Sequence, residues 1–148
     1  MCIRDRIHSF YFDQLIIKKL GNFIGLIPTN NLKVNAVSNK FVEELDYLRD
    51  ELSENEIKKR KPHKLTSNQK QMLFKWGYPY VFDEFKFHLT LTSKLNVVEI
   101  DDVLRSLQNI LKQVNLNKIS FNNICIFGQK SDEKFYFVQR FNFNNLTH

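Results

Sequence analysis

The segment Phe85-Lys86-Phe87-His88-Leu89-Thr90-Leu91-Thr92 is the clearest strand signal in this 148-residue sequence. Apolar and polar residues alternate through it, and successive side chains of a β-strand point to opposite faces. The alternation predicts a strand over 85–92 with one apolar face. The opposite face would carry four polar side chains: Lys86, His88, Thr90 and Thr92.

Four helices are predicted on either side of this strand. Apolar residues recur every three or four positions over 32–52 and 97–114, which is the period of an amphipathic helix. Ser53-Glu54-Asn55-Glu56 has the form of a capping box, and predicts a second, short helix that stops before Pro62. A third helix is predicted from a cap at Thr66 or Ser67 to Gly77.

Further strands are predicted near both ends of the chain. The Gly21-Asn22 turn signal predicts a hairpin of 14–19 with 23–27. Two final strands are expected over 119–127 and 134–143. The resulting order, β-β-α-α-α-β-α-β-β, predicts an α+β fold with a mostly antiparallel sheet and flanking helices.

Composition favours an ordinary globular protein. Apolar residues make up 43% and charged residues 26% of the chain, and no apolar run approaches the roughly 18 residues of a membrane span. Cys2 and Cys125 are too few for a disulfide framework or a zinc site. We therefore expect a reduced, cytoplasmic protein that does not bind membranes. Residues 1–13 are interpreted as a non-native or disordered leader, and 14–148 as a single domain.

The net charge of +6 favours a partner that carries phosphate groups. AT-rich coding, which favours Lys, Asn, Phe and Ile, explains the same charge. Five cations crowd one stretch: Lys58, Lys59, Arg60, Lys61 and Lys64. They are either a solvated helix end or a phosphate clamp, in which Arg60 could bind phosphate bidentately.

His88 and Thr90 are the candidate chemical groups. A neutral imidazole can take or give a proton near pH 7, and a threonine hydroxyl can bind a phosphoryl oxygen. Spacing of two residues puts both side chains on one strand face about 7 Å apart, which suits one phosphate group. Lys86 and Thr92 add a charge and a hydroxyl. A plain solvent-facing strand accounts for the same pattern.

Several other side chains have both a structural and a functional interpretation. Tyr78 and Tyr80 could stack on a base or ribose, or form a packed corner around Pro79. Asp83 or Glu84 could be a catalytic carboxylate. Cys125 is expected to be buried and inert. The remaining aromatic residues considered are predicted to be core: Trp76, Phe85, Phe87, Phe135, Phe137, Phe141 and Phe143.

The block Trp76-Gly77-Tyr78-Pro79-Tyr80 through His88-Leu89-Thr90 resembles the second signature of a family encoded in phosphonate-utilisation operons. That family belongs to the two-histidine (2H) phosphoesterases. The resemblance covers about 14–143. Three further segments also resemble family positions: Lys59-Arg60-Lys61-Pro62, Leu65-Thr66-Ser67-Asn68-Gln69 and Cys125-Ile126-Phe127-Gly128.

The resemblance implies a bilobal hydrolase with two His-x-Thr/Ser motifs, whose histidines act as general acid and general base on a cyclic phosphodiester. It implies no metal and no cofactor, because positioned donors stabilise the transition state. His88 and Thr90 would be catalytic. Lys86, Thr92, Arg60 and Tyr80 would contact the substrate.

Only one such motif stands in this sequence. Phenylalanine follows His8-Ser9 and leucine follows His63-Lys64, where threonine or serine is required, and His148 is the last residue. We therefore expect an N-terminally truncated fragment, with the first half of the bilobal fold partly missing. It would be inactive alone unless two copies pair to supply both histidines.

Three functional hypotheses follow. The first is a phosphoesterase fragment acting on a small cyclic phosphodiester, such as a ribose cyclic phosphate in phosphonate metabolism. The second is a basic module that binds RNA or a nucleotide without catalysis. The third is a non-functional half-domain that aggregates or dimerises. The sequence leaves open the exact substrate, the oligomeric state and whether His88 is the acid or the base.

Overall fold

A computed structural model of the chain describes residues 7–130 and 134–144. These residues divide into two compact units. The first unit contains 7–30 and the described residues from 88 onward, and the second contains 31–87. The first unit is mostly strands and the second is built from helices. The predicted α+β class with antiparallel pairing is confirmed.

The first unit contains a four-stranded sheet. Its strands are β1 (Phe10–Leu20), β2 (Phe23–Pro28), β3 (Leu89–Thr90) and β4 (Asn117–Phe121), in the spatial order β3-β2-β1-β4. Each neighbouring pair is antiparallel. The predicted hairpin is present as β1 and β2, and Gly21 adopts the positive φ of 64° that its tight turn requires.

A separate two-stranded antiparallel sheet is formed by β5 (Asn123–Gln129) and β6 (Phe135–Asn142). The prediction of one strand over 119–127 is therefore wrong. The chain leaves the first ladder at Asn122, whose carbonyl accepts a hydrogen bond from the Phe143 N–H at 2.8 Å. Residues before this point pair with β1, and residues after it pair with β6.

One helix, α4 (Ile100–Leu111), packs against β1 and β2. Ile100 is buried, and Asp101 forms an ion pair with Lys19 of β1 at 2.6 Å. The helix is shorter than the predicted 97–114. Val97 and Val98 are more than 80% exposed, so the apolar stripe does not begin at these positions.

Four phenylalanine rings cluster together in the first unit. Phe121 lies between Phe10, Phe12 and Phe143, with ring centroids 5.0 to 5.8 Å away. Ile7, Phe10 and Phe12 are buried. The expectation that the leader lies outside the fold is therefore wrong for 7–13, while 1–6 lie outside the described residues. The assignment of 14–148 to one incomplete domain stays a prediction.

The second unit contains α1 (Leu32–Leu45), α2 (Glu54–Lys59) and α3 (Ser67–Trp76). The helix predicted over 32–52 ends early, because the chain tightens into a 3₁₀ turn at Asp46–Leu48 and then becomes extended at Arg49. Leu48 belongs to the predicted apolar stripe of this helix but is 67% exposed in the structure.

The capping box predicted at Ser53 is confirmed, and of the two caps considered for α3 the structure uses Thr66, which also forms a capping box. Ser53 accepts a hydrogen bond from the Glu56 N–H, and Thr66 accepts one from the Gln69 N–H. The side chains of Glu56 and Gln69 bond back to the cap N–H groups. Gly77 ends α3 with a φ of 75°, a conformation that favours glycine.

The aromatic core prediction is correct for Phe143, which is 5% exposed. It is wrong for Phe135 and Phe137, which are 70% and 54% exposed on the two-stranded sheet. Alternating apolar residues predict a strand, but they do not show whether another layer covers it. The other four are half-buried: Trp76, Phe85, Phe87 and Phe141.

In the described part of the chain, no helix is long and apolar enough to span a membrane.

Candidate functional site

The strand predicted over 85–92 is reduced to Leu89–Thr90. It pairs with β2 through Leu26↔Leu89 and Gly25↔Thr90. The ladder ends there because Leu91 and Thr92 both donate their N–H groups to one carbonyl, that of Ile24, at 2.9 and 3.3 Å. Two residues of the predicted apolar face are exposed, Leu89 by 42% and Leu91 by 37%.

The segment after β3 is nevertheless held firmly to the hairpin. The Ile24 N–H donates to Thr92 Oγ1 at 3.1 Å, and the Leu95 N–H donates to the Asn22 carbonyl at 2.7 Å. A hydroxyl has one donor hydrogen and two acceptor lone pairs. Because Thr92 accepts from the main chain, its hydroxyl hydrogen can point toward a ligand.

A glycine in β2 allows the close approach of β3. A Cβ atom on Gly25 would lie 3.0 Å from the Leu89 carbonyl oxygen and 3.1 Å from a methyl carbon of Leu20. Any other residue would push the segment that carries Thr90 away from β2. Gly25 therefore helps to fix the position of the candidate site.

An open cleft of about 510 Å³ lies beside this segment. The structure brings His88, Thr90 and Thr92 together in its lining. The His88 ring lies 5.4 Å from the ring of Phe23, measured between centroids. His88 and Thr90 are exposed, so a ligand in solution can reach both side chains.

Three lining residues were missed by the sequence analysis: Asn22, Phe23 and Lys94. Lys94 continues the spacing of two residues that links His88, Thr90 and Thr92, and extending the alternation by one step would have found it. Asn22 and Phe23 belong to the hairpin turn of another part of the chain. Only the pairing of β2 with β3 brings them to the cleft.

The other predicted contact residues, Lys86, Arg60 and Tyr80, belong to the second unit. The Arg60 guanidinium lies over the Tyr78 ring at 4.7 Å from its centroid, and the rings of Tyr78 and Tyr80 are 5.6 Å apart. Stacking of this kind holds a guanidinium in place. A role for these residues in binding the same substrate as His88 stays a prediction.

A small cavity of about 240 Å³ adjoins Arg60. Its other lining residues are Leu52, Glu56 and Lys59. Hydrogen bonds from Ser53 hold the pKa of Glu56 below its usual value, with Lys59 and Arg60 contributing smaller attractions. Cations at the carboxyl end of α2 also complement the helix dipole. The basic cluster thus completes the end of α2, and its use as a phosphate clamp stays a prediction.

Glu84 stabilises the local fold. Its carboxylate accepts hydrogen bonds from the side chains of Asn68 and Gln69, both at 2.9 Å, which tie the 3₁₀ turn Phe82–Glu84 to the start of α3. These bonds lower the pKa of Glu84, and the bond from Asn68 has the larger effect. Partial desolvation raises the pKa, and the positive charge of Lys86 lowers it slightly. The neighbouring Asp83 is exposed.

Cys125 is half-buried rather than fully buried, and its Sγ lies 3.7 Å from Asn123 Oδ1. Within 7–130 and 134–144, no three His, Cys, Asp or Glu side chains come together in a group that could hold a metal ion.

The fold and the cleft define an α+β protein with one histidine and two threonines on a single open surface. Residues 2–136 match the family described as "Protein of unknown function (DUF1045)", and the chain belongs to this family.

Two curated relatives carry the name ribose 1,5-bisphosphate phosphokinase PhnN. The protein from Janthinobacterium sp. (strain Marseille) is 32% identical over 94 residues, which are 63% of this chain and 21% of that protein. The protein from Laribacter hongkongensis (strain HLHK9) is 44% identical over 36 residues, 24% of this chain and 9% of that protein. The chain thus spans at most about a fifth of their length. No solved structure matches it.

Replacing Thr92 by valine should destabilise the fold by about 1–3 kcal/mol, because the Ile24 N–H would lose its acceptor in a fully buried position. Thr92→Ser keeps the hydroxyl and should keep most of the stability. Urea unfolding of the three proteins measures the difference. Equal stability of the valine and serine variants would show that the bond does not hold this segment.

Lowering the pH should weaken the wild-type protein relative to Glu84→Gln. The pKa of Glu84 lies below its usual 4.5, so the ionised group stabilises the fold above that value. The stabilisation is lost as the pH falls through the lowered, folded-state pKa. Urea midpoints between about pH 7 and 3 measure this loss. Asp83→Asn is the matched control, and parallel curves for wild type and Glu84→Gln would contradict the assignment.

Proposed function

We propose that this chain is a 2H phosphoesterase-like protein that acts on a small cyclic phosphodiester. The observation that carries the proposal is the shared cleft of His88, Thr90, Thr92 and Lys94. A proton-transfer group, two hydroxyl donors and a cation are among the groups that phosphate ester hydrolysis uses.

Each group has a distinct role in the proposed reaction. Water attacks phosphorus, one histidine removes its proton, and a second histidine protonates the oxygen that leaves when the ring P–O bond breaks. Thr90 and Thr92 donate hydrogen bonds to the phosphoryl oxygens, and Lys94 balances their charge. His88 is one of the two proton-transfer groups. The proposed reaction uses no metal.

This chain contains a single His-x-Thr sequence. An acid or base group contributes about 10²–10⁴-fold to a rate. We therefore expect the chain alone to turn substrate over slowly or not at all, unless a second histidine comes from another copy or another segment.

The names of the relatives support a phosphorylated ribose as the substrate. Both are named for ribose 1,5-bisphosphate, although this chain covers only a small part of each. A ribose cyclic phosphate, formed in phosphonate metabolism, has the sugar and the phosphodiester that the proposal requires. Arg60, Lys86 and Tyr80 are proposed to assist binding.

A second candidate function is nucleotide binding without catalysis. It is favoured by the single His-x-Thr sequence together with the Phe23 ring, which lines the same cleft as His88, Thr90 and Thr92. Aromatic rings stack on bases. In that case His88→Ala would leave binding of a nucleotide nearly unchanged, whereas Phe23→Leu would weaken it.

Free imidazole should accelerate hydrolysis of a ribose cyclic phosphate by this chain, because it can stand in for the second histidine. His88→Ala should lower the imidazole-stimulated rate by about a hundredfold or more. The phosphate monoester released over time measures the reaction. His63→Ala, in the second unit, is the matched control. Equal rates for wild type and His88→Ala would contradict the proposed role of His88.

A further inference from the structure

The phenyl ring of Phe23 contacts the imidazole ring of His88 in the candidate cleft. The ring centroids are 5.4 Å apart, and the ring planes are inclined by 46°. This separation lies within the range of about 4.5–7 Å over which aromatic rings attract each other. His88 is exposed, whereas Phe23 is half-buried. One side of an exposed imidazole therefore rests against a ring that is partly enclosed by the fold.

The main chain on both sides of Phe23 is hydrogen-bonded to the segment after β3. Before Phe23, the Asn22 carbonyl accepts the Leu95 N–H at 2.7 Å. After Phe23, the Ile24 N–H donates to Thr92 Oγ1 at 3.1 Å. Phe23 itself begins β2 and is paired with β1. The hairpin therefore carries the phenyl ring on main chain that is tied directly to the cleft wall.

Gly25 leaves room for the two rings to meet. Phe23 and Gly25 are two residues apart on β2 and share a face, and Gly25 pairs with Thr90. His88 is two residues before Thr90, so the same alternation places it on this face. Because Gly25 has no side chain, none projects from β2 between the Phe23 ring and the His88 ring. The contact thus depends on the same glycine that lets β3 approach closely.

A proton-transfer group works only in a narrow range of positions. The reacting nitrogen of an imidazole must come within about 2.6–3.2 Å of the atom that shares its proton. An exposed histidine can turn among several rotamers, and each one points the ring nitrogens in a different direction. A ring packed against one side of the imidazole excludes every rotamer that would occupy the same space.

We propose that Phe23 is a positioning residue, whose ring holds the His88 imidazole in the orientation that proton transfer needs. This role rests on the proposed acid–base chemistry of His88. Phe23 acts through His88 and takes no part in the bond changes at phosphorus. Its side chain therefore controls the rate of the chemical step and not the affinity for a ribose cyclic phosphate.

Two other roles for Phe23 lead to different expectations. A core residue would be buried, but Phe23 is half-buried and lines an open cleft. A platform for a nucleobase would contact the ligand, so that loss of the ring would weaken binding of a nucleotide. A positioning residue predicts the same affinity for the substrate with and without the ring.

Steady-state hydrolysis of a ribose cyclic phosphate at one fixed imidazole concentration tests the proposal. Phe23→Leu keeps an apolar side chain but removes the ring, so kcat should fall by about tenfold while KM stays the same, since a misplacement of about 1 Å can cost up to about a hundredfold. Phe23→Tyr keeps a ring and should retain the wild-type rate. Phe135→Leu, at a ring 70% exposed on β6, is the matched control and should also retain it.

A double variant separates positioning from a general loss of stability. If Phe23 acts only through His88, adding Phe23→Leu to His88→Ala should not lower the rate further, because residues that act as a unit have non-additive effects. A substitution that merely weakens the fold would lower the rate by the same factor in both backgrounds.

NMR of the wild-type protein tests the contact without any substitution. Nuclear Overhauser signals should connect the ring protons of Phe23 with those of the His88 imidazole. In Phe23→Leu the His88 imidazole resonances should move, because a phenyl ring shifts the resonances of nuclei close to it. The imidazole resonances of His63, in the second unit, should stay in place.

Three results would overturn the positioning role. Absence of the Overhauser signals would exclude the contact, and an unchanged kcat in Phe23→Leu would exclude its importance. A raised KM with an unchanged kcat would show that the ring binds the substrate instead. In each case the hydrolytic proposal stands if His88→Ala still lowers the stimulated rate. Absence of hydrolysis by the wild-type protein would overturn both proposals.

Discussion

The position of the candidate site depends on the main chain of one buried residue, Ile24. Its N–H donates to Thr92, and its carbonyl accepts from both Leu91 and Thr92. These bonds take the place of a regular ladder after β3 ends. Because Ile24 is fully buried, its main-chain N–H and carbonyl need hydrogen-bond partners within the protein. The bonds to Leu91 and Thr92 therefore fix the path of the chain after β3.

The hairpin of β1 and β2 gives Ile24 that buried position. Its strands are anchored on one side by the phenylalanine cluster around Phe121 and on the other by Gly25, which lets β3 approach closely. The turn of the same hairpin supplies Asn22 and Phe23 to the cleft. One supersecondary unit thus forms part of the core, the partner for β3 and one wall of the candidate site.

Local patterns predicted the parts of this structure that local chemistry determines. The capping box at Ser53, a cap at the start of α3, the end of α3 at Gly77 and the hairpin turn depend on a few neighbouring residues. Hydrophobic alternation was less informative at Phe85–Thr92, since a strand also needs a partner of matching register. It misled at Phe135 and Phe137, because alternation does not reveal which face another layer covers.

In the candidate site, too, residues close in sequence could be predicted to lie together, and residues distant in sequence could not. His88, Thr90 and Thr92 could be grouped from their spacing, and Lys94 could have been added by one further step. Asn22 and Phe23 lie more than sixty residues away in sequence, and only the fold brings them near. Residues 7–13 were set aside for their irregular sequence, yet Phe10 and Phe12 are core, since burial depends on contacts with β4 that no local pattern reveals.

We propose that the cleft beside β3 binds the phosphate group of a small phosphodiester. Following the imidazole resonances by NMR while a ribose cyclic phosphate is added tests this proposal directly. We predict that the His88 signals shift and saturate, while those of His8, His63 and His148 stay in place. Unchanged His88 signals, or equal shifts at all four histidines, would contradict this binding site.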